Sequence, residues 1–258
     1  MPKKKNIISL EDAQKSVDSQ AVNAKKDINR PRYHAICSAN WMNDPNGPIL
    51  YEQEIHVFYQ HNPTAPQWAM MHWGHMKTKD LIHWEQLPIA FGPSYDDGEN
   101  HCFSGCCIIG PDGKPTALYT SVGDRQPEHW IATSSDNMIS WKKYEGNPVI
   151  DMNIHESSKL IVEDWRDPYA WKSEDGSYYC VIGGNIRNPN DEAIIKKNPS
   201  VYLYKSDNLK KWEYLGVLTS RYKDEIDCKH NKNVEVGNNW ECPNFWNWEC
   251  SNCFLIFI

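Results

Sequence analysis

The sequence predicts an all-β chain: a partial β-propeller of about three blades plus the start of a fourth, behind a short N-terminal helix. Three observations lead there. Beyond residue 40, apolar residues follow a two-residue period in short runs broken by turn signals, and no long helical pattern occurs. A Trp-to-Pro pattern recurs as Trp41-Met42-Asn43-Asp44-Pro45, Trp165-Arg166-Asp167-Pro168 and Trp240-Glu241-Cys242-Pro243. Phe103-Ser104-Gly105 fills the slot between the first two, so the intervals are 62, 62 and 75 residues, each long enough for one four-stranded blade.

Taken in order, residues 9–28 read as an amphipathic helix. Ser9 with Asp12 forms a capping-box pattern, Val17 shares a face with Ala21 or Ala24, and Asn29-Arg30-Pro31 ends it. Residues 1–31 are therefore expected to be a helical leader outside the main fold. Residues 32–258 are expected to form an incomplete propeller catalytic domain. Ile55, Val57 and Tyr59 alternate with His56, Phe58 and Gln60, as a strand requires. Pro111-Asp112-Gly113 and Glu174-Asp175-Gly176 mark turns between strands. A second repeat, Asp80 to Trp84, Asp136 to Trp141 and Asp207 to Trp212, is a loop that delivers a Trp to the last strand of each blade. Those three Trp are expected in the blade cores. The polar stretch around Lys223–Asn239 accounts for the longer third interval.

The innermost strand of every blade lines the propeller axis. Acids at one level of different blades therefore converge, which brings Asp44, Asp167 and Glu241 together. Paired carboxylates across a bond are the equipment of glycoside hydrolysis. Asn43-Asp44-Pro45-Asn46-Gly47 also has turn chemistry, but a turn leaves the acids of the other two blades unexplained. Trp240, Phe245 and Trp246, with two nearby carboxylates, are expected to raise the pKa of Glu241 toward working pH. Arg166 adjoins Asp167, yet neighbours on a strand point to opposite faces, so a tight pair between them is not automatic.

Composition narrows the alternatives. The 258 residues carry a net charge of −7, which gives no electrostatic case for nucleic acid. No stretch reaches the roughly 18 consecutive apolar residues of a membrane helix. Met1-Pro2-Lys3-Lys4-Lys5 is not followed by the apolar run of a secretory signal, so a cytoplasmic location is expected. The nine Cys fit a reducing compartment. Cys250 and Cys253 make one close pair, with Cys228, His230 and Cys242 nearby, whereas structural zinc needs two well-spaced pairs. No metal or cofactor is expected. His72 and His75 lack the metal-binding helix pattern and are expected to be core or lining groups.

Six motifs in order complete the sequence reading: Trp41-Met42-Asn43-Asp44-Pro45-Asn46-Gly47, Phe58-Tyr59-Gln60, Trp73-Gly74-His75, Phe103-Ser104-Gly105, Arg166-Asp167-Pro168 and Trp240-Glu241-Cys242-Pro243. Together they resemble glycoside hydrolase family 32, the invertases, sucrose-6-phosphate hydrolases and fructan hydrolases. The resemblance runs from about Arg32 to about Trp246. It implies a five-bladed propeller followed by a β-sandwich, of which the rest of the fourth blade, the fifth blade and the sandwich would be absent here. It implies retaining hydrolysis of terminal β-D-fructofuranosides, with a small sugar as the partner. Asp44 matches the nucleophile, Asp167 the transition-state stabiliser and Glu241 the acid/base. Asn43, Gln60, Trp68, Phe103, Ser104 and Arg166 match residues that line the fructose subsite, and Cys242 matches the Cys after the acid/base. Cys106, Asn244 and the Trp68–His72 segment depart from the family pattern without removing a catalytic acid. An inactive fragment of such an enzyme and a fructosyl transferase are the alternatives.

Overall fold

The computed structural model describes residues 7–158, 160–187, 198–220, 239–248 and 251–257, with side chains through Phe245. Helix α1, Leu10–Ala24, starts as the capping box requires: the Ser9 Oγ accepts the Asp12 N–H at 3.1 Å and donates to Asp12 Oδ2 at 2.7 Å. It ends four residues short of the expected point because its last turn tightens. Lys26 N–H donates to Asn23 O and Asp27 N–H to Ala24 O, which stops the i→i−4 ladder. Ala13 and Val17 pack on Ile89, and Gln14 Oε1 accepts the Ile89 N–H at 2.9 Å, so the helix is docked on the first sheet.

Among the described residues the strands form three four-stranded antiparallel sheets and one two-stranded sheet. The first is β1 Trp41–Tyr51, β2 Glu54–Asn62, β3 His72–Thr78 and β4 Glu85–Phe91. The second is β5 Glu99–Ile109, β6 Pro115–Gly123, β7 Glu128–Thr133 and β8 Lys142–Lys143. The third is β9 Ile161–Lys172, β10 Tyr178–Arg187, β11 Asn198–Ser206 and β12 Glu213–Ser220. The hairpin of β13 Glu241–Trp248 and β14 Ser251–Phe257 begins the fourth. Each sheet is a simple meander, the blade order expected from the repeats. Residues 221–238, most of the polar stretch assigned to the third interval, lie outside the described residues.

Sheets of this kind bury both faces against their neighbours, and aromatic residues fill the wedges. Phe58, Trp73 and Phe91 of the first blade meet Tyr119, Trp130 and Met138 of the second. Leu118 and Ile131 of the second meet Trp165, Tyr202 and Tyr204 of the third. The Asp-to-Trp loops close each blade with one device. Thr78, Ser134 or Ser206 bonds the loop, and Leu81, Met138 and Leu209 take positive φ of 62°, 64° and 61°. Trp84, Trp141 and Trp212 then pack partly buried against the blade cores, as expected.

Candidate active site

The inner strands β1, β5, β9 and β13 all bulge at one level. Each carries one residue more than its partner strand, between Asn43 and Pro45, Cys102 and Gly105, Arg166 and Tyr169, and Glu241 and Asn244. Three of these bulges place the residue before a proline at positive φ: Asp44 at 38°, Asp167 at 64° and Cys242 at 45°. A non-glycine residue there costs on the order of 1 kcal/mol or more, and such strain gathers at functional sites. The three recurring patterns are thus equivalent in backbone but not in chemistry. Cys242, not Glu241, is the structural counterpart of Asp44 and Asp167. Glu241 stands one residue earlier, in the place that Arg166 and Asn43 hold in their own blades.

This one-residue offset builds the site. The Cys242 Sγ lies 3.6 Å from Asp167 Oδ2 and 4.0 Å from Asp44 Oδ2, between the two carboxylates. Burial and the three surrounding carboxylates push its thiol far up, so it stays protonated and donates. The Cys242 N–H donates to Asp167 Oδ2 at 3.0 Å. Glu241, half exposed, receives the Arg166 guanidinium: Nη2 to Oε1 is 2.6 Å. The same guanidinium reaches Asp167 Oδ2 only through Nε at 3.8 Å. Arg166 therefore binds the acid of the next blade more tightly than its sequence neighbour.

Asp44 is held by its own blade and by the second. Ser104 Oγ donates to Asp44 Oδ2 at 2.7 Å, and Gln60 Nε2 donates to the same oxygen at 3.2 Å and to Ser104 Oγ. Asp167 is almost fully buried, and burial raises its carboxyl to about 6, against the lowering pull of the Cys242 N–H and Arg166. Asn43 Oδ1 accepts the Trp41 indole N–H at 2.6 Å. At the rim Trp68 is half exposed and stacks on His101 at 5.1 Å, with Phe103 edge-on at 6.0 Å. His101 was not legible as a site residue, because a lone His before a Cys carries no pattern.

The surround expected for Glu241 is different in the structure. Trp240 packs with Val181 and Val201, and Phe245 stacks on Trp171 at 4.5 Å. Alternation along the strand turns Trp240 into the blade interface while Glu241 faces Arg166. The Trp246 side chain, Cys228, His230, Cys250 and Cys253 lie outside the described groups. His72 and His75 are buried, and burial pushes them down to about 4 and about 3. Among the described residues no group of three His, Cys, Asp or Glu is arranged to hold a metal ion. No described helix is long and apolar enough to cross a membrane.

Residues 34–255 match the model of the glycosyl hydrolases family 32 N-terminal domain. The chain belongs to glycoside hydrolase family 32. This family 32 chain is 33% identical over 257 residues to a sucrose-6-phosphate hydrolase of Zymomonas mobilis, covering 95% of its own length and 45% of that protein. It is 34% identical over 228 residues to the levanase of Bacillus subtilis, covering 84% of itself and 29% of the levanase. Its fold superposes on a family 32 β-fructofuranosidase from Bombyx mori with a TM-score of 0.73 at 33% identity, covering 95% of this chain and 48% of that one. A fructan 1-exohydrolase of Cichorium intybus gives a TM-score of 0.66 at 31% identity, covering 84% and 37%. The family 32 chain thus spans less than half the length of these relatives.

Proposed function

We propose that this chain provides the fructose-binding and catalytic groups of a retaining β-fructofuranosidase acting on sucrose, sucrose 6-phosphate or short fructans. The observation that carries the reading is the gathering of three carboxylates from three blades around Cys242 and Arg166. In this reading Asp44 attacks the fructosyl anomeric carbon while Glu241 gives its proton to the departing glycosidic oxygen. The C–O bond to the leaving sugar breaks and a fructosyl ester forms on Asp44. Glu241 then takes a proton from water, whose oxygen displaces Asp44 and releases fructose with its configuration retained.

Ser104 and Gln60 keep one Asp44 oxygen in donated hydrogen bonds and leave the other available for attack. Asp167 accepts from ring hydroxyls as positive charge builds on the sugar, which needs the ionised form that predominates above about pH 6. Arg166 orients Glu241 until substrate enters. Trp68, with Phe103 beside it, offers an apolar face to the sugar. The test is fructose release from sucrose, sucrose 6-phosphate and a short fructan by the wild-type chain and by Asp44→Asn. Turnover by wild type and none by the variant is expected. Undiminished turnover in Asp44→Asn would sink the assignment, and fructose-containing oligomers at high sucrose would mark transfer instead of hydrolysis.

A further inference from the structure

Asp44 and Asp167 come from different sheets, so something must set the distance between them. Asp44 is tied to the second blade through Ser104 on β5. Asp167 belongs to the third blade, on β9. One side chain touches both attachments. Thr120, on β6 and fully buried, sits beside β5 in its own sheet and against β9 of the next. Its Oγ1 accepts the Asp167 backbone N–H at 2.9 Å. The same oxygen lies 3.5 Å from the Ser104 carbonyl and 3.4 Å from His129 Nδ1.

The hydrogen-bonding roles around Thr120 follow from satisfiability. His129 is fully buried and burial pushes it down to about 3, so the ring is neutral. Its Nε2 finds no partner among the described groups. Thr120 has one hydrogen to give, so its contacts with the Ser104 carbonyl and with His129 Nδ1 are both hydrogen bonds only with the His129 proton on Nδ1. Nδ1–H then points at Thr120 Oγ1. Thr120 accepts from His129 and from Asp167, and its one hydrogen is free for the Ser104 carbonyl. The other side of the His129 ring packs edge-on against Trp165 at 4.2 Å, two residues before Asp167.

We infer that Thr120, backed by His129, is a positioning residue that sets the spacing of Asp44 and Asp167 across the second and third blades. Its hydroxyl satisfies the amide of the residue held at φ 64°, and that backbone conformation aims the Asp167 carboxylate at the Cys242 N–H. Without the hydroxyl the Asp167 N–H is buried and unpaired, and the bulge relaxes toward ordinary φ to find another acceptor. A displacement of about 1 Å at a reacting group costs on the order of 100-fold in rate. The inference rests on the fructofuranosidase reading for its kinetic consequence, but the hydrogen bond itself does not.

The test uses the full chain with Thr120→Val, which keeps the shape, and Thr120→Ser, which keeps the hydroxyl. With sucrose as substrate, Thr120→Val is expected to lose about 10- to 100-fold in kcat with KM within about threefold, and Thr120→Ser to recover most of the rate. Amide hydrogen exchange at Asp167, read by NMR, is expected to speed up by at least about tenfold in Thr120→Val and to stay near wild type in Thr120→Ser. A valine variant with wild-type kcat, or equal kinetic losses in both variants, would overturn the inference. So would unchanged Asp167 exchange in the valine variant. If wild type releases no fructose, the fructofuranosidase reading fails, and the exchange rates alone decide whether Thr120 holds the bulge.

Discussion

Replacing Asp167 with Asn should stabilise the fold while removing the fructose release proposed above, and the gain should appear only above about pH 4. The carboxyl is buried and titrates at about 6, against an ordinary value of 3.8. Between those two pH values the folded chain keeps the Asp167 proton and the unfolded chain has lost it. The folded state then binds more protons, so this group lowers stability as pH rises through the window and adds no further change above it. About two pH units of displacement correspond to about 3 kcal/mol. Asn resembles the protonated acid and never ionises. The difference in unfolding free energy between Asp167→Asn and wild type should therefore be near zero at pH 4 and grow to about 3 kcal/mol by pH 7. Urea unfolding followed by fluorescence suits a chain with 12 Trp. Subtraction cancels the titration of every group remote from Asp167. A difference that stays constant from pH 4 to 7 would refute the buried, proton-retaining carboxyl.

Three further outcomes test the frame and the site. Gly183→Ala should break the seam between the third blade and β13, since a Cβ there would lie inside the Trp240 carbonyl and close to Pro243. A loss of about 1–3 kcal/mol in chemical unfolding is expected, with turnover falling as well because Glu241 follows Trp240. Lys143→Met should leave the fully buried Glu99 without its cation, though Tyr119 OH and Ser94 N–H still donate to it. The expected cost is about 3–5 kcal/mol, and adding Glu99→Gln should recover much of it in the same melts. Ser104→Ala removes the closest donor to Asp44, so kcat/KM on sucrose should fall about 10- to 100-fold with little change in far-UV circular dichroism.

The blade count and the meeting of the acids were legible because both follow from periodicity. Strand alternation and a recurring Trp fix which element lies at the axis, and the axis does the rest. Two features were not legible. The exchange of roles between Glu241 and Cys242 is written in the spacing to the proline, one residue for Asp44, Asp167 and Cys242 but two for Glu241, yet what that offset does depends on a bulge that spacing alone does not reveal. The same offset turned the expected aromatic surround of Glu241 into an ion pair with Arg166. Thr120 and His129 were silent for another reason. A buried Thr or His in a strand looks like any other core position, and only contact with the next blade distinguishes it.

The repeated bulge also says how such a scaffold can acquire new chemistry. Asp44, Asp167 and Cys242 occupy sockets of one backbone shape, each preset by a following proline. Whatever side chain a socket receives is delivered to the common centre without any rebuilding of the sheets. Exchanging one such residue therefore rewires the reactive ensemble at the expense of a single side chain, and a tandem array of near-identical modules offers evolution several interchangeable positions at which to try it.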